Sequence, residues 1–155
     1  MEQNTQETLL RNAFESARQA KLAGNLPYGC VLADESGNII MDGRNTVITD
    51  KDALGHAEIN LIREASKKYD AEFLKKCTIF TSDEPCPMCA SAIFWGGIGS
   101  LVFGLSKARF YQEFGRDNPD IDFDLSSRTV LQAGARKVKV IGPLLEEEAL
   151  ALHSE

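Results

Sequence analysis

The chain has 155 residues, 43% of them hydrophobic and 26% charged, and a formal net charge of −6. That length and balance suit a single soluble domain able to bury a proper core. The acidic surplus argues against extended contact with a nucleic-acid backbone, which wants a positive surface. No apolar run approaches a membrane span and the polar start, Met1 to Glu7, is not a signal peptide, so the expected location is cytoplasmic.

In chain order, Thr5 to Ala23 is predicted to be a helix. Leu9, Leu10, Ala13, Phe14, Ala17 and Ala20 recur at helical spacing, Asn4 or Thr5 can cap it, and Gly24 can end it. Leu26 to Gly29 is a turn into a strand from about Cys30 to Asp34. Glu35-Ser36-Gly37-Asn38 has hairpin-turn chemistry, and Ile39 to Arg44 is the antiparallel return. Asn45 to Gly55 is a polar connection. His56 to Tyr69 reads as a second helix, with an apolar stripe of Ala57, Leu61, Ile62 and Ala65 and with Arg63, Lys67 and Lys68 facing water.

Cys77 to Ser82 is an apolar strand, broken by Asp83-Glu84-Pro85. Cys86 to Trp95 is a third helix with Pro87 in its first turn, where the missing N–H is tolerated, and Gly96-Gly97 ends it. Ser100 to Gly104 is the next strand. Ser106 to Asp124 holds a short aromatic helical piece (Phe110, Tyr111, Phe114) and then an acidic loop with Asp117, Asp120, Asp122 and Asp124. Ser126 to Ala133 is a short helix capped by Ser126, Lys137 to Ile141 a last strand, and Pro143 to His153 a terminal helix with an acidic start that suits the helix dipole. Strands alternating with helices predict an α/β domain, a three-layer α-β-α sandwich around a five-stranded mixed sheet.

Two short segments carry the chemistry. His56-Ala57-Glu58 supplies an imidazole and a carboxylate. Pro85-Cys86-Pro87-Met88-Cys89 supplies two thiols at i and i+3, on one face of a helix start, where thiolates gain from the dipole. His56, Cys86 and Cys89 make three zinc ligands. A closed structural site takes four, whereas a catalytic one keeps a place for water, and Glu58 is placed to handle that water's proton. A redox pair would explain neither His56 nor Glu58. Cys30 and Cys77 lie in apolar runs and are expected to be buried core thiols.

The combined pattern H-x-E…P-C-x-x-C is the signature of zinc deaminases. Over nearly its whole length the chain resembles the cytidine-deaminase-like zinc superfamily. It is most similar to the guanine and cytosine deaminase branch, and next to the tRNA adenosine deaminases. The carriers are L-P-Y-G-C-V-L-A at 26–33, G-R-N at 43–45, H-A-E-I at 56–59, T-S-D-E-P-C-P-M-C at 81–89 and A-I-F-W at 92–95. The resemblance implies Zn2+ on His56, Cys86 and Cys89, Glu58 as proton carrier, and hydrolytic release of ammonia from a nucleobase or nucleoside, guanine first.

It further implies substrate contacts at Asn45, at the Ala57 backbone N–H, at Asp117 and at Trp95, and a homodimer. Each has a plainer reading in the residues: Asn45 as a turn residue, Trp95 as core packing, Asp117 as part of a solvated acidic loop. His153, near the chain end, is expected to be solvated. Deamination of adenosine in tRNA is the competing function, though no strong Lys/Arg cluster follows the third helix. A zinc-binding module without catalysis is a third possibility, which leaves Glu58 without a role.

Overall fold

The computed structural model describes residues 1–155. Its strands are β1 (Gly29–Ala33), β2 (Ile39–Arg44), β3 (Thr78–Asp83), β4 (Ser100–Leu105) and β5 (Lys139–Ile141). They form one sheet in the order β2-β1-β3-β4-β5. β1 pairs antiparallel with β2 and β3, while β3, β4 and β5 run parallel. The helices are α1 (Gln3–Leu22), α2 (Ala57–Lys68), α3 (Ala71–Leu74), α4 (Pro87–Trp95), α5 (Lys107–Phe114), α6 (Ser127–Gln132) and α7 (Glu146–Ala151).

The two-residue period of the strands builds two cores, one on each face of the sheet. Cys30 and Leu32 of β1, Ile79 of β3, and Leu101 and Phe103 of β4 pack with Leu61 and Ala65 of α2, Ala90 and Ile93 of α4, and Leu131 of α6. Val31 and Ala33, Phe80 and Val102 turn the other way, onto Leu10, Ala13, Phe14 and Ala17 of α1 and Ala149 of α7. β1 is buried along its whole length because both faces are covered. The result is the three-layer α-β-α arrangement with a mixed sheet.

Two glycines let the outer layers close on the sheet. A Cβ at Gly29 would lie 2.3 Å from the Ala17 nitrogen, and one at Gly43 would lie 2.5 Å from the Ala57 oxygen and 2.8 Å from the Leu61 Cβ. Gly43 thus fixes how closely the first turn of α2, and with it His56, approaches β2.

Several boundaries differ from expectation. α1 starts at Gln3 after Glu2, so neither Asn4 nor Thr5 caps it; nothing in Gln3 or Asn4 breaks a helix, and the turn simply continues upstream. The four-residue α3 falls where the sequence offers no periodic signal and is held by Asp70, whose side chain accepts from the Phe73 N–H. The terminal helix is shorter than Pro143 to His153, running from Glu146 to Ala151 after a left-handed Leu145 (φ 52°). Ser126 caps α6 as expected, accepting from the Thr129 N–H. Cys30 and Cys77 are buried free thiols. No helix is long and apolar enough to cross a membrane.

Candidate active site

Two helix starts meet beside the carboxyl end of β3. His56 is the N-cap of α2, and Cys86 is the N-cap of α4 with Pro87 following it. Nδ1 of His56 lies 3.6 Å from Sγ of Cys86 and 3.4 Å from Sγ of Cys89. One ligand atom from each of the three residues falls within 4.8 Å of the others. Cys89 donating to Cys86, helped by His56, pulls Cys86 down to about 4. The same contact and burial push Cys89 well up, and the Cys86 contact raises His56. One thiolate therefore stands ready and the remaining ligand protons are displaced on metal binding. An imidazole and two thiolates, convergent and one short of a closed set, fit a zinc ion with an open position.

Glu58 lies in the first turn of α2, two residues after His56, and is 6% exposed. Burial raises its pKa, with the neighbouring Cys89 pulling the other way. A carboxyl held upward in this manner keeps a proton more readily than a solvated one, which suits a group that must both accept and return it. Ala57 is fully buried, and its N–H is among the donors that the first turn of a helix leaves free. Asn45 is 3% exposed at the end of β2. Its Oδ1 accepts from the Val47 N–H at 3.1 Å, so it does form a turn. Its Nδ2 makes no hydrogen bond within the chain and remains available as a donor.

Phe110 and Phe114 of α5, with Gly115, Asp117, Asn118, Pro119, Ile121 and Asp122, line a cleft of about 520 Å³. Of the four aspartates, Asp124 pairs with Arg116, and Asp122 accepts from the Asn118 N–H. Asp117 lines the cleft with its carboxylate uncommitted. Trp95 does not join this group. It ends α4, six residues beyond Cys89, and is 82% exposed, edge-on to Phe94 at 5.3 Å. Pro87, Cys89, Ala90 and Ile93 are the residues of α4 turned inward, and Trp95 lies off that face.

Three residues of this region were not singled out as site residues. Glu84 accepts from the Lys107 N–H at 2.9 Å and from the N–H and hydroxyl of Ser127 at 2.9 and 2.7 Å, tying the loop before Cys86 to α5 and α6. Asp83, read as a strand breaker, is the buried last residue of β3 and contacts His153 at 2.7 Å. The expectation of a solvated His153 is thereby overturned: its side chain is 8% exposed, because the turn after α7 folds it back against β3.

The family model for the cytidine and deoxycytidylate deaminase zinc-binding region matches residues 3–105. A probable cytosine deaminase of Schizosaccharomyces pombe is 38% identical over 144 residues, covering 93% of this chain and 87% of that protein. A tRNA-specific adenosine deaminase of Haemophilus influenzae is 41% identical over 100 residues, covering 64% of this chain and 58% of that protein. A solved guanine deaminase from Nitrosomonas europaea superposes with a TM-score of 0.79 at 27% identity, over 96% of this chain and 82% of that one.

Proposed function

The chain belongs to the cytidine and deoxycytidylate deaminase zinc-binding family, and on that premise we propose that this hydrolytic deaminase acts on a small free nucleobase, guanine first. The observation that carries the reading is the buried Glu58 carboxyl beside the convergent His56, Cys86 and Cys89. The net reaction replaces an amino group on an amidine carbon by oxygen and releases ammonia.

With zinc present, the site gains a Lewis acid that brings the ionisation of water to about neutral pH. The chain's own residues do the rest. Glu58 accepts a proton from the attacking water and passes it to the ring nitrogen beside the reacting carbon. It then takes the remaining proton of the added hydroxyl and gives it to the amino nitrogen, so that the C–N bond breaks, ammonia leaves and the carbonyl forms. A positioned acid/base of this kind contributes roughly 10²–10⁴-fold, or about 3–5 kcal/mol of barrier. The Asn45 Nδ2 and the Ala57 N–H donate to acceptors on the base and fix which carbon faces Glu58. Asp117, on the cleft wall, accepts from amino or ring N–H groups.

Guanine is supported by the superposition on the Nitrosomonas europaea enzyme over 96% of this chain. Cytosine is the second reading, favoured by similarity across 87% of the Schizosaccharomyces pombe protein. Against tRNA stand the charge of −6 and the aspartates bordering the cleft, which would repel a phosphate backbone. We also infer the homodimer that the family resemblance implies, with the 82% exposed Trp95 as the side chain whose removal probes the interface. Sedimentation of wild type and Trp95→Ala tests it.

The function is tested by ammonia release from guanine, cytosine, isocytosine, adenine, their nucleosides and pterins. Release from guanine or cytosine is expected. Release from none of the panel by zinc-loaded protein would overturn the reading.

A further inference from the structure

A buried carboxyl–imidazole pair beside the site has no part in the proton transfers assigned to Glu58. Asp83 ends β3 three residues before Cys86, and its Oδ2 lies 2.7 Å from Nε2 of His153, with side chains 11% and 8% exposed. Oδ1 of Asp83 is buried with no hydrogen-bond partner in the chain. A carboxylate buried with one oxygen unmatched is destabilising to the fold. A purely structural latch between the last turn and β3 would be served as well or better by apolar residues.

Three rings surround the imidazole: Tyr28 at 5.4 Å, Phe110 at 5.3 Å and Phe114 at 5.8 Å between centroids. They belong to both ends of the site. The Tyr28 carbonyl accepts from the Asn45 N–H, and its hydroxyl is held well above its usual range by burial and by the charges of Asp83 and Glu58. Phe110 and Phe114 line the cleft with Asp117. His153 therefore packs between Tyr28, whose carbonyl holds Asn45, and two phenylalanines of the cleft wall.

Its hydrogen-bonding pattern is fixed by its partner. A carboxylate only accepts, so Nε2 carries the proton, and Nδ1 of the neutral ring is an acceptor. Nδ1 makes no hydrogen bond within the chain, and it is not among the sealed polar atoms. In free guanine and free cytosine alike, the edge away from the reacting amino group carries a ring N–H. In a nucleoside, the glycosidic bond takes its place.

We propose that His153 is a specificity-determining residue that accepts the ring N–H of a free base at Nδ1, and that Asp83 is the positioning residue that holds it in that tautomer. This deepens the nucleobase reading and rests on it. The consequence is a chemical one: the substrate is a free heterocycle, and the reaction that supplies it is one that cleaves or bypasses the glycosidic bond.

The test compares kcat and KM for cytosine against 1-methylcytosine, and for guanine against 9-methylguanine, in zinc-loaded wild type, His153→Phe and His153→Gln. Phe keeps the bulk and loses the acceptor. Gln can donate to Asp83 and present its oxygen. Wild type should prefer the free base by at least about tenfold, the scale of one hydrogen bond lost in a buried site. In His153→Phe the free-base KM should rise by about that factor with kcat within about twofold, and His153→Gln should restore most of the preference. An unchanged free-base KM in a folded His153→Phe overturns the role of His153 and leaves the deaminase reading standing.

A second readout needs no change at His153. In zinc-loaded Glu58→Gln, the ring Nδ1 resonance of His153 should move when cytosine saturates the site. A resonance unmoved by bound cytosine overturns the inference. If zinc-loaded wild type released ammonia from neither free base, the nucleobase reading itself would fall and take this inference with it.

Discussion

Nδ1 of His56 stands 3.4 Å from Sγ of Cys89, although 33 residues separate them in the chain. The proximity is made by two helix N-termini, α2 arriving from the connection after β2 and α4 leaving β3. Both ends direct unsatisfied N–H groups and a positive dipole at the same point, which favours thiolates there. Metal uptake must therefore be linked to pH. The Cys86 contact raises His56, and the same contact with burial raises Cys89, so both keep their protons to higher pH and zinc has to displace them. Affinity should climb as pH rises from the ordinary imidazole range toward the thiol range, with proton release seen by calorimetry in two buffers of different ionisation heat. A dissociation constant indifferent to pH would contradict the assignment of these ligands.

Asn45 commits its amide oxygen to the Val47 N–H and leaves Nδ2 without a partner in the chain, and one substitution separates the two groups. Asn45→Asp retains an oxygen for the Val47 N–H but loses the free Nδ2 donor. The fold should be kept, with Tm within a few degrees, while KM rises about 5- to 150-fold, the range for one buried hydrogen bond lost at about 1–3 kcal/mol. Steady-state kinetics and a thermal melt on the same preparation check both halves. An unaltered KM would place the donor elsewhere.

Gly43 ties the sheet to the metal-bearing helix. Its missing Cβ is what allows Ala57 and Leu61 to sit where they do. Gly43→Ala should destabilise by about 1–3 kcal/mol through overpacking, seen as a Tm lowered by roughly 2–10 °C. Zinc affinity should fall with it, since His56 moves when α2 is pushed outward. A melt at the wild-type temperature would show that the layers can separate at no cost.

Much of this fold and of the metal site can be read from the sequence because the signals are local. The apolar runs of β1, β3 and β4, the glycine and proline punctuation and the spacing within each motif half all lie within a dozen residues. What could not be read is set by long-range contact. Asp83 and His153 are 70 residues apart, and neither segment hints at the other. Glu84 acquires its role only when α5 and α6 return their N–H groups to it. The exposure of Trp95 is hidden in the sequence for a different reason. From Pro87 to Trp95 the helix is small or apolar throughout apart from Ser91, so no polar stripe marks which face turns outward. Asn45 was legible in part: the turn it forms is local, the donor it leaves free is not.

The proposed activity turns on Glu58 moving a proton at a zinc-dependent deaminase site. The most direct measurement follows ammonia from guanine and cytosine with zinc-loaded wild type and zinc-loaded Glu58→Gln, zinc content being determined in both. The prediction is turnover by wild type, full zinc occupancy in the variant, and a fall in kcat of about 10²–10⁴-fold. A Glu58→Gln protein that holds zinc and turns over at the wild-type rate would contradict it.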